Sequence, residues 1–407
     1  MSDGLFDGVL ARGGVRAAVA DAAWLQAMLD AEAALARARR LPADVVDAIE
    51  SACRAQRYDV AALGAAAAES GNPVVPLVAA LRAELARSGG ERPAARGASP
   101  AADEVHRGAT SQDILDTAAM LVARRALGPL LDDLRGAAEA AAGLAREHRS
   151  TPVAGRTLLQ QALPTTFGLK AAGWMTALDA VGARLSAVPL AAQLGGPAGT
   201  LASLGPAVVA RFAAELGLAE PVLPWHTDRT RIAELAGALG AACGAAAKAA
   251  GDVVLLAQTE VAEAREAAPG GSSAMAHKRN PVAAVSALGC ARQAPGLVAT
   301  LLASMEQPHE RAAGAWHAEW RPLSSLLLAT GSAAAWLRAC LEGLEPNPAR
   351  MRANLELPGG VPPAERTGAA LEAAVASATT LVDRALAARD RRLRQREADE
   401  VDAQPPS

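Results

Sequence analysis

The sequence has few aromatic residues and no excess of charge of either sign. Phenylalanine, tyrosine and tryptophan make up 2% of its 407 residues, whereas alanine is abundant, so its helices must pack closely through small side chains. Lysine and arginine number 40 against 43 aspartate and glutamate residues, and the formal net charge is −3. A chain without a strongly basic surface is a poor candidate for nucleic-acid binding. Hydrophobic residues, at 51%, suffice for a large folded core.

Cysteine is also scarce, and its spacing argues against the usual cysteine-based sites. The four cysteines lie dozens of residues apart, with no CxxC motif and no paired Cys/His spacing (Cys53, Cys243, Cys290 and Cys340). We therefore predict neither structural zinc nor a disulfide framework, and we expect no metal or cofactor. Buried thiols in a reducing compartment fit this pattern. The start, MSDGLFDGVLARGG, lacks the apolar core of a secretory signal, so a cytoplasmic protein is expected.

Segments with the Val, Ile and Thr alternation of β-strands are almost absent, so the sequence indicates no source for a sheet. Apolar residues recur instead at helical spacing. Helical runs are predicted near 24–39 and 44–56, and over 113–147, 164–188, 228–266, 281–305 and 315–343. The predicted fold class is all-α, and the broad apolar stripes of such long helices predict oligomerisation.

Breaks between these runs divide the chain. An uncharged stretch between Arg184 and Arg211 is long enough for a membrane span, but its prolines and the pair Gly195-Gly196 predict a loop, so no membrane association is expected. Residues 88–103 are predicted to be irregular. We expect an N-terminal helical domain over 1–103, a central long-helix bundle with the active site over 104–343, and a short C-terminal helical domain with a frayed tail over 344–407.

Two polar segments interrupt the helical runs in the first half of the central region. The first, HRGATSQD, covers 106–113 at a predicted helix start, where Thr110 or Ser111 either caps the helix or binds a substrate carboxylate. The second runs from His148 to residue 161 and contains GRTLLQQ. One interpretation is a polar connection in which Thr157 caps the next helix. The other is a site in which Arg156, Thr157 and Gln160 donate hydrogen bonds to an anion. His148 is either a supporting residue or a catalyst.

The third polar segment, 270–281, reads GGSSAMAHKRNP and carries the sharpest signal. Paired glycines and serines predict a flexible loop, and Lys278, Arg279 and Asn280 add donors just before a new helix. A serine acts as a base here only if cations and backbone N–H groups stabilise its alkoxide. The phosphate-loop spacing GxxxxGK[ST] and the hydrolase elbow GxSxG are both absent from the sequence.

Together the three segments resemble the conserved blocks of the fumarase/aspartase superfamily, in the same order. GSSAMAHKRNP resembles the loop GSSxMPxKxNP, with Ala276 in place of proline, and the resemblance covers about residues 5–360. HERAAGAWHAEW and MRANLEL further resemble the branch that lactonises 3-carboxy-cis,cis-muconate. The resemblance implies a three-domain helical protomer, whose long helices form the core of a homotetramer. It also implies active sites composed from three protomers.

The resemblance also implies roles for individual residues. Ser272 is expected to be the catalytic serine, with His148 as a second catalytic candidate. The residues expected to bind the substrate are Thr110, Ser111, Arg156, Thr157, Gln160, Ser273, Lys278 and Asn280, with His106 and Arg311 at the edge of the site.

One departure from the family pattern bears on the reaction. Most lyases of the superfamily have a histidine after GRT, but here Leu158 stands there and cannot transfer a proton. Basic leaving groups need protonation as they depart, whereas a carboxylate, with a pKa of roughly 4, does not. Leu158 therefore favours lactonisation of the tricarboxylate 3-carboxy-cis,cis-muconate to 4-carboxymuconolactone, a step of protocatechuate degradation. The alternatives are elimination from an amino-, nitro- or purinyl-succinate, with His148 or His277 as the proton donor, and a helical protein without catalysis.

The sequence HAE at 317–319 resembles part of a zinc-deaminase motif, but no PCxxC follows it. We interpret His317 and Glu319 as residues of a helix near the site or in the core, with Trp316 and Trp320 packing on one side of that helix.

Overall fold

The computed structural model describes residues 4–88 and 99–402, so most of the segment predicted to be irregular, 88–103, lies outside the described residues. The described chain is mainly helical, as predicted. The helices are α1 (Asp7–Leu10), α2 (Val15–Ala18), α3 (Asp21–Ala38), α4 (Ala43–Ala52), α5 (Val60–Ser70), α6 (Val74–Ser88), α7 (Pro100–Glu104), α8 (Ser111–Glu147), α9 (Phe167–Ser186), α10 (Val208–Leu216), α11 (Thr230–Leu256), α12 (Val282–Ala291), α13 (Ala294–Ala303), α14 (Ala315–Glu342), α15 (Pro348–Leu355), α16 (Pro363–Arg366) and α17 (Gly368–Asp402).

Five helices, α8, α9, α11, α12 and α14, pack side by side around the main apolar core. Small side chains let them approach closely. A Cβ added at Gly331 of α14 would lie 2.4 Å from the side chain of Val15 in α2. Much of the core is alanine and leucine, including Ala118, Ala126, Leu130, Ala137, Leu239, Ala246, Leu326 and Ala333. The close packing predicted from abundant alanine and scarce aromatic residues is thus confirmed.

One hairpin and one pair of strands distant in sequence correct the expectation that the chain has no strands. β1 (Pro152–Thr157) pairs with β2 (Gln160–Thr166), and β3 (Ala264–Glu266) pairs with β4 (Leu344–Pro346), both antiparallel. Such strands carry little alternation of their own, because turn geometry and contacts with neighbouring elements stabilise them.

The β1–β2 hairpin also decides how the following helix begins. Thr157 lies in a strand, so its predicted alternative role as a helix cap is wrong. The cap of α9 is Thr166, whose hydroxyl accepts a hydrogen bond from the N–H of Leu169 at 3.1 Å. The chain therefore turns from hairpin to helix nine residues later than the capping alternative supposed.

Several predicted boundaries change. The run predicted over 281–305 is two helices, because Pro295 lies in the first turn of α13 and has no N–H to continue the hydrogen bonds of α12. The loop predicted between Arg184 and Arg211 is confirmed for residues 187–207, which contain no helix. α17 continues to Asp402, so the tail is helical up to that point, and its fraying stays a prediction; residues 403–407 lie outside the described residues.

The N-terminal helices α3 and α6 pack beside the start of α8, and α17 packs against α9 and β2. These contacts are compatible with three regions, and the domain boundaries stay a prediction. By length and composition alone, three apolar stretches are long enough to cross a membrane: Thr230–Leu256, Val282–Ala303 and Ala315–Glu342. In this fold they pack against one another in the bundle.

Candidate active site

The polar segments lie at opposite ends of the bundle. α8 has 37 residues and, at about 1.5 Å per residue, is about 55 Å long. The segment 106–113 lies at its start, which we call the first end. The segment that begins at His148 lies at its finish, which we call the second end. Within one chain the first and second polar segments therefore cannot share a pocket.

Asp113 organises the first end. Its side chain is fully buried and accepts hydrogen bonds from the N–H groups of Thr110, Gly195 and Gly196, at 2.8–3.0 Å. Its Oδ1 also lies 2.6 Å from Nε2 of His226. Thr110 is the N-cap of α8, as one of its two predicted roles required, and shares a capping box with Asp113. With four donors, Asp113 clamps the Gly195-Gly196 loop onto the start of α8.

A buried ion network lies one turn further along α8. The guanidinium of Arg229 contacts Asp116 at 2.8 and 3.1 Å and Glu319 at 2.6 and 3.0 Å. Trp316 Nε1 donates to Asp116 at 3.0 Å. Burial raises the pKa of Glu319, although Arg229 opposes the rise. Three charged side chains thus join α8, α11 and α14 at the first end.

The structure confirms that 317–319 belong to a helix, α14, with Glu319 buried in the core. Glu319 pairs with Arg229, and the rings of Trp316 and Trp320 pack edge to face with centroids 5.0 Å apart. In the described ranges, no group of three or more His, Cys, Asp or Glu side chains is arranged to hold a metal ion.

The predicted edge residues Arg311 and His106 both lie at the first end. Arg311 Nη2 donates to the carbonyl of Gly196 at 2.6 Å, so it is attached to the loop that Asp113 clamps. Together with His226 it lines a cleft of about 200 Å³. His106 Nδ1 lies 2.6 Å from a carboxylate oxygen of Glu32. The structure therefore brings His106, Thr110, Ser111 and Arg311 to one end of the bundle.

At the second end, the β1–β2 hairpin presents two predicted substrate-binding residues. Its register pairs Thr157 with Gln160 across a two-residue turn, and both are exposed. The turn residues Leu158 and Leu159 have φ values of 51° and 66° and are 97% and 71% exposed. Positive φ at both central positions defines a type I′ turn, which favours Asn-Gly and is costly for leucine. Strain combined with exposed apolar side chains marks this turn as a candidate functional feature.

Arg156 has a partner of its own within the chain. Its guanidinium donates to both oxygens of the fully buried Glu263, at 2.7 and 2.8 Å. Asn354 donates to the same carboxylate at 2.8 Å. This bidentate pair attaches the hairpin to the segment before β3. Direct substrate binding by Arg156 stays a prediction, because Glu263 already occupies the guanidinium.

His148 lies between the end of α8 and the β1–β2 hairpin and contacts residues on both sides of that hairpin. It caps the end of α8, its ring packs edge to face on Phe167 with centroids 5.4 Å apart, and its Nδ1 lies 3.2 Å from the hydroxyl of Thr151. Burial lowers the pKa of His148, so the neutral ring is favoured. Its proposed catalytic role stays a prediction, although these contacts are those of a supporting residue.

The third segment forms a closed loop before α12. Gly270 and Asn280 exchange backbone hydrogen bonds of 2.9 Å, and the side-chain amide of Asn280 donates to the carbonyl of Gly271. The hydroxyl oxygen of Ser272 accepts the N–H groups of Ala274 and Met275, at 3.3 and 3.2 Å. Two backbone donors on one hydroxyl oxygen favour its alkoxide.

The rest of the loop is open to solvent. Ser273 and Lys278 are exposed, and neither side chain has a hydrogen-bond partner in the described chain. Glu266, at the base of the loop, accepts the N–H groups of Ala283 and Ala284 and so fixes the start of α12. The loop therefore has a fixed base and exposed donors.

Sequence reasoning missed the residues that hold the site together. Asp113 is the exception that a signal could have revealed, because Thr-x-x-Asp before an apolar run is a capping pattern. The other supporting residues lie far along the chain from the hydrogen-bonding groups that they contact in His106, Asp113, Arg156 and Glu263. They are Glu32, His226, Glu263 and Asn354. Only the fold brings them together.

Known proteins are similar to this chain in sequence and in fold. A family model described as lyase matches residues 11–296. The 3-carboxy-cis,cis-muconate cycloisomerase of Bradyrhizobium diazoefficiens is 50% identical over 376 residues, which cover 89% of this chain and 81% of that protein. A nitrosuccinate lyase of Streptomyces davaonensis is 46% identical over 391 residues, covering 91% and 81%.

A solved structure is similar as well. The crystal structure of the 3-carboxy-cis,cis-muconate lactonizing enzyme from Pseudomonas putida matches with a TM-score of 0.80 at 42% identity, covering 87% of this chain and 79% of that one. The family model and the relatives extend over most of the chain and include the first two polar segments and the loop. The chain therefore belongs to the lyase family of enzymes within the fumarase/aspartase superfamily, as its three polar segments predicted.

Proposed function

We propose that this enzyme catalyses the lactonisation of 3-carboxy-cis,cis-muconate to 4-carboxymuconolactone, a step of protocatechuate degradation in the cytoplasm. The observation that carries the proposal is the hairpin tip. Between Thr157 and Gln160 stand only Leu158 and Leu159, and neither can protonate a leaving group. A carboxylate departs or adds without such help, because it is a weak base. Relatives that share half or nearly half of the sequence bear this activity in their names.

The reaction adds one proton to the substrate. A carboxylate oxygen of the trianion forms a C–O bond to an alkene carbon, and the π electrons move toward the carbon beside another carboxylate. Ser272 donates its proton to that carbon, giving the lactone dianion, and the serine alkoxide then takes a proton from solvent. The N–H groups of Ala274 and Met275 stabilise the alkoxide, and the cation of Lys278 stabilises the charge that develops on the substrate carboxylate.

We further propose that the active enzyme is a homotetramer with composite sites. Thr110 and Ser111 lie at the start of α8, whereas Thr157 and Gln160 follow its other end, and the helix between them is about 55 Å long. Site residues at both ends are exposed or half-buried, as expected where other protomers complete the site. Exposed Val282, Val285 and Leu302 on α12 and α13 supply an apolar surface for such an assembly.

A second candidate reaction is supported by the nitrosuccinate lyase relative. Nitrite, like a carboxylate, is a weak base that can depart without a proton donor. Leu158 therefore argues against amino- and purinyl-succinates but does not separate lactonisation from nitrite elimination. In that reaction an alkoxide at Ser272 would remove a proton from carbon as the C–N bond breaks, leaving fumarate and nitrite.

The test is a direct assay of the purified enzyme with both substrates. Lactonisation destroys the conjugated diene of 3-carboxy-cis,cis-muconate, so its ultraviolet absorbance should fall. A colorimetric nitrite assay follows nitrosuccinate in parallel. Loss of diene without nitrite release is the expected result. Nitrite release with no diene loss would replace the proposal by the second candidate, and activity on neither substrate would reject both.

A further inference from the structure

The first and last residues of the first polar segment each belong to a carboxylate–histidine pair. The two pairs differ in how many hydrogen bonds each carboxylate accepts. Asp113, paired with His226, has both oxygens occupied by several donors. Glu32 of α3 is 2% exposed, and its Oε1 lies 2.6 Å from Nδ1 of His106. Its Oε2 is buried without a hydrogen-bond partner among the described residues. An unsatisfied buried carboxylate oxygen is unfavourable, so the Glu32 pair is not explained by stability alone.

The backbone at His106 also has an uncommon conformation. Its φ is 60°, in the left-handed region that residues other than glycine seldom adopt. The carbonyl of His106 accepts the N–H of Ala109, which closes the turn before Thr110. With Nδ1 held by Glu32, Nε2 is the ring nitrogen left to meet a ligand, and the His106 side chain keeps 16% of its surface exposed.

Resting on the proposed function, we propose that Glu32 is a positioning residue for the reaction. It fixes the ring of His106 beside Thr110 and Ser111 and keeps it as an imidazolium, whose Nε2–H binds a carboxylate of the substrate. Through Glu32, helix α3 then stabilises the positive charge of His106, which binds the tricarboxylate. No charged residue of α3 itself touches the substrate.

The charges around His106 agree with this role. Burial lowers the pKa of His106, but the hydrogen bond and charge of Glu32, together with the charge of Asp113 on α8, outweigh it, and Arg82 on α6 opposes them. The net pKa is raised above the ordinary value. The imidazolium is therefore fully present below the ordinary histidine pKa and is lost as pH rises through the raised one.

The thiol of Cys53 lies near Glu32 but does not titrate together with His106. Burial, followed by the negative charge of Glu32, raises the pKa of Cys53, so this thiol stays neutral in the range where His106 titrates. Asp30, Glu50 and Arg37 complete the charges around Cys53. The titration of the pair is therefore expected to report on His106.

The experiment compares Glu32→Gln with the wild-type enzyme by two measurements. Histidine labelled with ¹³C at Cε1 gives the pKa of each of the six histidines by NMR, and His106→Asn assigns the resonance. Asparagine tolerates positive φ, so this variant keeps the backbone. We expect Glu32→Gln to lower the pKa of His106 by about 1–2 units. The high-pH fall of kcat/KM should move to lower pH by the same amount, with KM raised about tenfold at pH 8 and kcat little changed.

Two controls separate this inference from a structural role and from the proposed function. In the His106→Asn background, adding Glu32→Gln should leave the pH profile unchanged, because the group it acts on is gone. If Glu32→Gln lowers the melting temperature without moving the NMR pKa or the pH profile, Glu32 is structural and the inference is wrong. Wild-type inactivity with the muconate would reject the proposed function, while the NMR titration would still decide whether Glu32 controls His106.

Discussion

At the first end of α8 most polar side chains are buried and paired, whereas at the tip of the β1–β2 hairpin and in the loop before α12 most are exposed and few have partners. Asp113, Asp116 and Arg229 each contact at least two groups of the same chain. Thr157, Gln160 and Lys278, by contrast, have no side-chain hydrogen bond within the described chain. The two ends of one helix thus serve different purposes.

The difference shows how stability and chemistry are distributed. Most buried pairs hold helices in place and leave no donor for a ligand, with Nε2 of His106 as the exception, so changes there should alter stability first. Exposed donors contribute little to folding and remain available for a substrate, so changes there should alter activity first.

The largest effect is expected for Arg229→Met. The substitution removes the cation that lies between Asp116 and Glu319 and leaves two carboxylates buried together. Breaking a buried ion pair in this way costs about 3–5 kcal/mol of the free energy of unfolding, measured by urea denaturation. Arg231→Met, two residues later and half-exposed, is the matched control and should change stability by less than about 0.5 kcal/mol. Equal effects of the two variants would contradict the assigned role of the network.

The next largest effect is on turnover. Ser272→Ala should lower kcat by about 10³-fold without changing the melting temperature, because proton transfer to carbon loses its donor. Ser273→Ala, in the same exposed loop, should have a smaller effect. If Ser272→Ala retains full activity, this serine is not the proton carrier, whichever substrate is turned over.

Mixing variants tests whether the start of α8 and the loop before α12 come from different chains in one site. Ser272→Ala is unfolded and refolded together with a second inactive variant, Thr110→Val with Ser111→Ala. If the loop and the start of α8 in each site come from different chains, random hybrids should recover about a quarter of the wild-type rate. If one chain supplies both, no hybrid site is complete and activity stays at the level of the separate variants.

Glu263→Gln should have an intermediate effect on stability. It leaves the cation of Arg156 without its bidentate partner and should cost about 1.5–3 kcal/mol by the same urea measurement. KM should rise, because Thr157 and Gln160 lose the anchor of their hairpin. A fall in KM would instead mean that Glu263 withholds Arg156 from the substrate, as the direct-binding prediction for Arg156 requires. Glu260→Gln, three residues earlier and exposed, is the control.

The sequence predicted the helices and the residues with exposed donors better than it predicted what supports them. Long apolar runs and the three polar segments are local patterns, so the bundle and the position of Ser272 in a loop before a helix follow from neighbouring residues. The pairing of Arg156 with Glu263 joins residues 107 apart, and that of His106 with Glu32 joins residues 74 apart. No local pattern marks such partners. The β1–β2 hairpin was missed for a related reason, because its turn carries leucines where a type I′ turn favours Asn-Gly.

Apart from the controls, that turn gives the smallest change among the substitutions expected to alter stability, and the clearest separation of stability from activity. Replacing Leu158 by asparagine and Leu159 by glycine supplies the residues that favour positive φ and should raise the free energy of unfolding by about 1–2 kcal/mol. In the proposed composite site, the two leucines exclude water from the substrate carboxylates held by Thr157 and Gln160. Their loss should lower kcat/KM about tenfold, although the hairpin becomes more stable.

The tetramer content of this double variant, followed by size-exclusion chromatography with light scattering, decides between two reasons for such a loss. An intact tetramer with low kcat/KM places the effect in the site, because the assembly that completes each site is unchanged. Dissociated chains would mean that the leucines act as an interface between copies. If stability rises while kcat/KM and assembly stay at the wild-type level, the strained turn serves neither purpose. The exposed end of the helix would then depend only on its polar side chains, and the contrast between the two ends of α8 would rest on hydrogen-bond partners alone.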